Sequence, residues 1–180
     1  AEIATSIALS ISIYGLMKYF LDYMIVRVVV FGEDEKLRRV VTDQILAGGK
    51  PLDGFPENMA DAVRHKCYIG RDEYTFLEML GDPVNYYNIY DLFDAAIFII
   101  DCSTRDQQAS LDLFERAMRL GTLNNIKFMI YALESDTSEN ISESDIKEIY
   151  GLERFIQQWY IQPVETPRLR GIEHGIKWIR

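Results

Sequence analysis

Ile25-Val26-Arg27-Val28-Val29-Val30-Phe31 runs directly into Gly32-Glu33-Asp34-Glu35-Lys36-Leu37-Arg38-Arg39, and the junction between the two organises the chain. The first segment is apolar except for Arg27, as a strand buried on both faces requires. A helical pattern follows and places a helix over Leu37–Ala47. Such a strand-to-helix junction is where a phosphate-binding loop belongs, in the form GxxxxGK followed by Ser or Thr. Its glycines let backbone N–H groups surround the phosphates while the lysine neutralises them. Gly32 supplies the first glycine. Leu37 stands in place of the second, Arg38 in place of the lysine and Arg39 in place of the hydroxyl residue, with Glu33, Asp34 and Glu35 inside the loop. The scaffold is kept and the anion chemistry is dismantled.

Size and charge bound the rest. The chain has 180 residues, enough for one domain with an appendage and a core that needs no staples. Its net charge of −9 argues against a nucleic-acid partner, which requires a basic footprint. Cys67 and Cys102 lie far apart without metal-ligand spacing, so no metal site is expected. Both fall in apolar runs and read as buried thiols, with a disulfide left open. His65 and His174 are isolated in sequence and suggest no catalytic triad.

At the other end, Ile3 to Met17 is free of charge, and the apolar character continues to Leu21. A helix over residues 3–21 covers roughly 28 Å, close to the ~30 Å hydrocarbon core of a bilayer. Lys18 is placed to snorkel, and Tyr19, Phe20 and Tyr23 supply an interfacial aromatic cluster. The expectation is a transmembrane or membrane-associated helix in residues 1–24 that contacts lipid through residues 3–21. The alternative is a helix buried in a soluble assembly. Ala4, Ala8, Ser12 and Gly15 form a stripe of small residues that would let another helix approach closely. Lys18, Arg27, Arg38 and Arg39 all follow the span, so charge bias keeps the domain on the side of synthesis, cytosol or matrix.

Residues 25–180 alternate apolar runs with helical patterns, which predicts a parallel α/β sheet with helices on both faces. The runs are Ile25–Phe31, Ala62–Ile69, Tyr74–Leu80, Ala95–Asp101, Ile126–Tyr131 and Trp159–Gln162. Helices are predicted over Leu37–Ala47, Ala109–Leu120, Ser142–Tyr150 and Leu169–Ile179, and Gly48–Pro56 reads as a loop. Leu111, Leu113, Phe114 and Met118 recur at near-helical spacing, which is core packing. The segment Glu134–Glu148, with six acidic residues and one lysine, reads as an exposed charged face or a docking surface.

Ala95-Ala96-Ile97-Phe98-Ile99-Ile100-Asp101, Gly151-Leu152, Trp159-Tyr160-Ile161-Gln162, and Gly171, Gly175 and Trp178 at their spacings together resemble an Arf-family small GTPase. The resemblance implies a Rossmann-like small-GTPase fold with a six-stranded, mostly parallel sheet, and an N-terminal helix that meets membrane. It also allows the family's nucleotide motifs to be compared position by position. The DxxG element, which would serve magnesium and the γ-phosphate, is Glu78-Met79-Leu80-Gly81. Asp82 and Pro83 stand where a glutamine would orient water. No threonine occurs between Gly49 and Ile69. The base-reading NKxD element is Leu133-Glu134-Ser135-Asp136, with Glu134 in place of the lysine. The last guanine-contacting loop is Glu165-Thr166-Pro167, whose proline lacks an N–H.

A nanomolar nucleotide complex corresponds to about −12 kcal/mol. Without three or four of its hydrogen bonds, at about 1.5–3 kcal/mol each, binding is roughly millimolar. The expectation is therefore a degenerate, non-catalytic Arf-like pseudo-GTPase without cofactor, in which Gly32, Arg38, Gly81 and Asp136 are vestigial nucleotide-site positions. Arg38 and Arg39 read as a solvated or headgroup-facing patch. Such a chain would act as a structural or interaction subunit alongside other subunits of a membrane complex, with the mitochondrial inner membrane and the endoplasmic reticulum both compatible. The competing readings are a working GTP-binding protein similar to the signal recognition particle receptor β subunit, and a soluble adaptor.

Overall fold

The computed structural model describes residues 10–17, 23–83, 92–118, 126–136, 139–155 and 158–180. After a helical segment at residues 10–17 (α1), the order is β1 (Ile25–Gly32), α2 (Glu35–Ala47), β2 (Lys50–Pro51), β3 (Glu57–Asn58), β4 (Ala62–Ile69) and β5 (Asp72–Met79). It continues with β6 (Ala95–Asp101), α3 (Gln108–Met118), β7 (Lys127–Ser135), α4 (Glu143–Ile149), β8 (Trp159–Thr166) and α5 (Ile172–Ile179).

One sheet joins all eight strands in the order β2-β4-β5-β1-β6-β7-β8, with β3 also paired to β4. β5, β1, β6, β7 and β8 are parallel. β4 is antiparallel to β5, and β2 and β3 are antiparallel to β4. The sheet is therefore mixed and eight-stranded, where the sequence pattern and the resemblance imply a six-stranded, mostly parallel one. The reason lies in the connection: only Gly70 and Arg71 separate β4 from β5. Two residues close a hairpin, whereas a parallel pair needs a crossover of a dozen or more. β2 likewise forms inside the segment that reads as a loop, where Lys50 and Pro51 cover one end of β4.

The continuous apolar runs are explained by burial on both faces. Val26, Val28 and Val30 of β1 point into one core with Val41 and Ile45 of α2 and Ile172 and Ile176 of α5. Val29 and Phe31 point into the other, against Phe114 of α3 and Ile146 of α4. β6 and β7 divide in the same alternating way, with Ile97 and Tyr131 on the α2/α5 face and Phe98 and Ile130 on the α3/α4 face. Phe114 is the hub of the second core, in edge-to-face contact with Phe98, Phe128, Tyr150 and Phe155. At the lower end of the sheet, Asp72 accepts from the Met24 N–H at 3.1 Å and pairs with Arg180 at 2.6 Å. That carboxylate ties the start of β1, the hairpin and the C-terminus together.

The predicted first helix falls mainly on residues 1–9 and 18–22, outside the described residues. In α1, Ile11, Tyr14 and Leu16 are exposed. Among the described residues no helix is long and apolar enough to cross a membrane.

Gly175 explains one element of the C-terminal signature. A Cβ there would lie 2.5 Å from the hydroxyl of Tyr131, which is fully buried and donates to the Ile172 carbonyl at 2.7 Å. Gly175→Ala is expected to cost about 1–3 kcal/mol through overpacking, more than the ~1 kcal/mol that alanine adds to a helix. Urea denaturation of the two proteins checks this, with a lower midpoint expected for the variant.

Candidate functional site

Ligands of open α/β sheets bind outside the C-terminal strand ends, where the strand order reverses. Here that point lies between β1 and β6, since the chain leaves β1 for β4 and β5 on one side and returns to β6 on the other. Only Glu33 and Asp34 separate β1 from α2. The helix starts at Glu35, earlier than the periodicity suggests, because Asp34 caps it: its carboxylate accepts from the Leu37 N–H at 3.0 Å, and its carbonyl accepts from the Arg38 N–H at 3.0 Å. The Leu37 amide is thus engaged by the Asp34 carboxylate, and Arg38 N–H makes the first bond of the helix. The crevice between this turn and the β6–α3 turn holds about 50 Å³ and is lined by Glu33, Asp34, Asp101 and Asp106. Small-molecule sites usually enclose about 300–1,000 Å³. This crevice falls below that range, and its four carboxylates would repel a phosphate.

Arg38 does not face solvent or headgroups as its sequence context suggests; it is 5 % exposed. Its Nη1 donates to the Gly32 carbonyl at 2.5 Å, and its Nε lies 3.4 Å from Oε1 of Glu78. Glu78 is fully buried at the end of β5. Its Oε2 lies 3.3 Å from Nε2 of His65 on β4, and Nε of Arg39, half-exposed, lies 3.7 Å from Oε1. His65, isolated in sequence, is therefore part of a cluster that sequence spacing did not reveal. The hairpin creates it: Val63 pairs with Glu78, so His65 is the diagonal neighbour on the same sheet face, beneath α2. Burial works against ionisation of Glu78, but the His65 hydrogen bond and the charges of Arg39 and Arg38 outweigh it. They hold the carboxyl below its ordinary value.

Gly81 follows the same logic. The N–H groups of Leu80 and Gly81 both donate to the Asp61 carbonyl, at 2.8 and 3.0 Å, and a Cβ on Gly81 would lie 2.7 Å from that of Asp61. The amide that the resemblance assigns to a phosphate carries the β4–β5 pairing one step beyond Ala62 and Met79 instead. Gly32 is also closely packed, since a Cβ there would lie 3.2 Å from Cβ of Ile99. Gly32, Arg38 and Gly81 themselves line an opening of about 450 Å³, with Phe31, Met79, Leu80 and Leu113, and Glu33, Asp82 and Asp112 stand on its rim. Arg116, on the same rim, lies 3.9 Å from Asp82.

At the far end of the crevice, Asn140 closes the loop after β7, accepting from the Ser135 N–H and donating to the Ser135 carbonyl, both at 2.9 Å. Thr166 donates to the Glu134 carbonyl at 2.8 Å. Asp136 is exposed at the turn. Cys102, immediately after β6, is a free, buried thiol, as is Cys67 on β4. Burial, with the Glu134 and Asp101 carboxylates adding to it, pushes the Cys102 thiol up to about 12, so it is inert at neutral pH. Among the described residues no group of three or more His, Cys, Asp or Glu side chains is arranged to hold a metal ion.

Comparison with known families matches residues 84–180 to the ADP-ribosylation factor family. The chain belongs to this family. No curated protein matches it. The matched segment begins after the β1–α2 turn and the β4–β5 hairpin, and takes in β6 to α5. Within this Arf-family fold, Gly32, Arg38 and Gly81 come together around Glu78 and Asp61, whereas Asp136 stands apart at the end of β7. Tyr86, Tyr87 and Tyr90, which by sequence suit either partner contacts or helix packing, lie outside the described residues.

The buried cluster makes two predictions. Removing one partner of a buried ion pair costs about 3–5 kcal/mol, whereas replacing both with apolar residues is often neutral. Arg38→Met and Glu78→Met are each expected to be strongly destabilising, and the double variant less so than the sum; denaturant unfolding of the four proteins measures the coupling. The carboxyl of Glu78 is held below its unfolded value, so its contribution is complete above about pH 5 and is lost as pH falls through the folded value. Between pH 7 and 4 the stability of the wild type should fall more steeply than that of Glu78→Gln, as read by urea midpoints.

Proposed function

We propose that this Arf-family chain is a non-catalytic pseudo-GTPase that acts as a structural or interaction subunit of a larger membrane complex, anchored through residues 3–21. The observation that carries the reading is the position of Arg38. This arginine, at the place of the phosphate-loop lysine, is buried against Glu78 and donates to the Gly32 carbonyl, beside a helix start already capped by Asp34. A triphosphate would have to pull Arg38 away from Glu78 and leave that carboxylate buried without it, a cost of several kcal/mol. It would also have to displace Asp34 and enter a crevice lined by four acidic residues. Such a domain contributes surfaces rather than turnover.

The second reading, a working GTP-binding protein resembling the signal recognition particle receptor β subunit, draws its support from family membership and from Gly32, Gly81 and Asp136. Isothermal titration with GTP and GDP in the presence of magnesium separates the two. No binding tighter than roughly millimolar is expected, because the lysine is missing and the Leu37 and Gly81 amides already donate within the chain. A micromolar constant would reject the non-catalytic reading. For the membrane half, the expected result is extraction only by detergent, together with partner subunits. Release of a monomer by carbonate would reject anchoring, whether in the mitochondrial inner membrane or the endoplasmic reticulum.

A further inference from the structure

α2 and α5 pack side by side on one face of the sheet, and a groove of about 530 Å³ opens between them, away from the crevice described above. Its floor is apolar, built by Ile45 of α2, Ile69 at the end of β4, Leu169, and Ile172 of α5. Its rim carries Arg168, Arg170 and Lys177, with His174 alongside, against the single carboxylate of Glu173. Arg170 lies 3.5 Å from Glu165. Arg168 and Lys177 are exposed and have no ion-pair partner among the described residues.

This concentration of cations runs against the composition of the chain, whose net charge is −9. Their mutual repulsion does nothing for folding, and no carboxylate among the described residues answers Arg168 or Lys177. A groove between two helices with an apolar floor and a charged rim fits an amphipathic segment that lays its apolar face inward. The charge of the rim calls for carboxylates along the flanks of that segment. The concavity does not suit a flat bilayer surface, and residues 1–22 of the chain carry only Glu2 and Asp22 against Lys18, too little negative charge to answer it. We infer that the α2–α5 groove docks an acidic amphipathic segment of a partner subunit. The inference rests on the interaction-subunit reading and names its surface and the chemistry of its partner.

A photo-crosslinking residue at Gln44, which lines the groove, is introduced into the full chain expressed in its own cells, and the cross-linked peptide is sequenced by mass spectrometry. A synthetic peptide of that segment is then titrated against the wild type and against Arg168→Glu/Lys177→Glu. The expected product is a segment of another subunit with excess carboxylates and apolar residues three or four apart. Its affinity should fall about tenfold or more in the charge-reversal variant and weaken with added salt. Arg168→Gln/Lys177→Gln gives the same readout should the reversal unfold the chain. A cross-link to lipid, to a second copy, to residues 1–22 or to a neutral or basic segment would overturn the inference, as would no product or an unchanged affinity. Nucleotide titration of the same preparation reports separately on the non-catalytic reading, so the two can fail independently.

Discussion

A carboxylate that water does not reach governs this structure. Glu78 ends β5 in full burial, and an ion so placed is tolerated only where opposite charge and hydrogen bonds surround it. His65 and Glu78 lie on the same face of the β4–β5 hairpin, and α2 descends on that face with Arg38 and Arg39 in its first turns. The demands of one side chain thereby fix three others. Arg38 must point inward, which brings its guanidinium onto the Gly32 carbonyl and holds the end of β1 against the start of α2. The arrangement joins the helix, the central strand and the hairpin by charge rather than by apolar contact alone.

The same arrangement places the chain's own groups at the strand-to-helix junction. An empty phosphate loop leaves backbone donors unsatisfied, and folded chains rarely tolerate that. Here three donors find local acceptors: the Asp34 carboxylate takes the Leu37 amide, and the Asp61 carbonyl takes those of Leu80 and Gly81. The retained glycines have steric duties of their own, since Gly32 packs on Ile99 and Gly81 on Asp61. Gly32 and Gly81, which look like remnants of nucleotide chemistry, each fit a tightly packed position where a Cβ would crowd its neighbours.

The two faces of the sheet differ in character. Aromatic rings clustered around Phe114 fill the space beneath α3 and α4. Beneath α2 and α5 the packing is largely aliphatic, and the helices leave a groove open whose rim is cationic. Acidic residues line the strand-end crevice and the segment around α4. Charge of opposite sign is thus separated onto different surfaces of the domain.

Much of this was written locally in the chain. Runs such as Val28–Phe31 and Ala95–Ile100 are apolar at consecutive positions because both sheet faces are covered, so the six long strands and the helices on both faces followed from pattern alone. The absence of the second glycine and the lysine at the junction was equally plain, because it depends on which residues stand at which spacing. The two-residue span Gly70-Arg71 also held the hairpin, although reading the apolar runs as uniformly parallel obscured it. What no spacing could reveal was the meeting of His65, Glu78 and Arg38, or the groove that places Arg168 and Lys177 beside Ile45. Those depend on strand register and helix docking, which bring distant residues within a few ångströms, and hydrophobic periodicity records only which way each side chain faces.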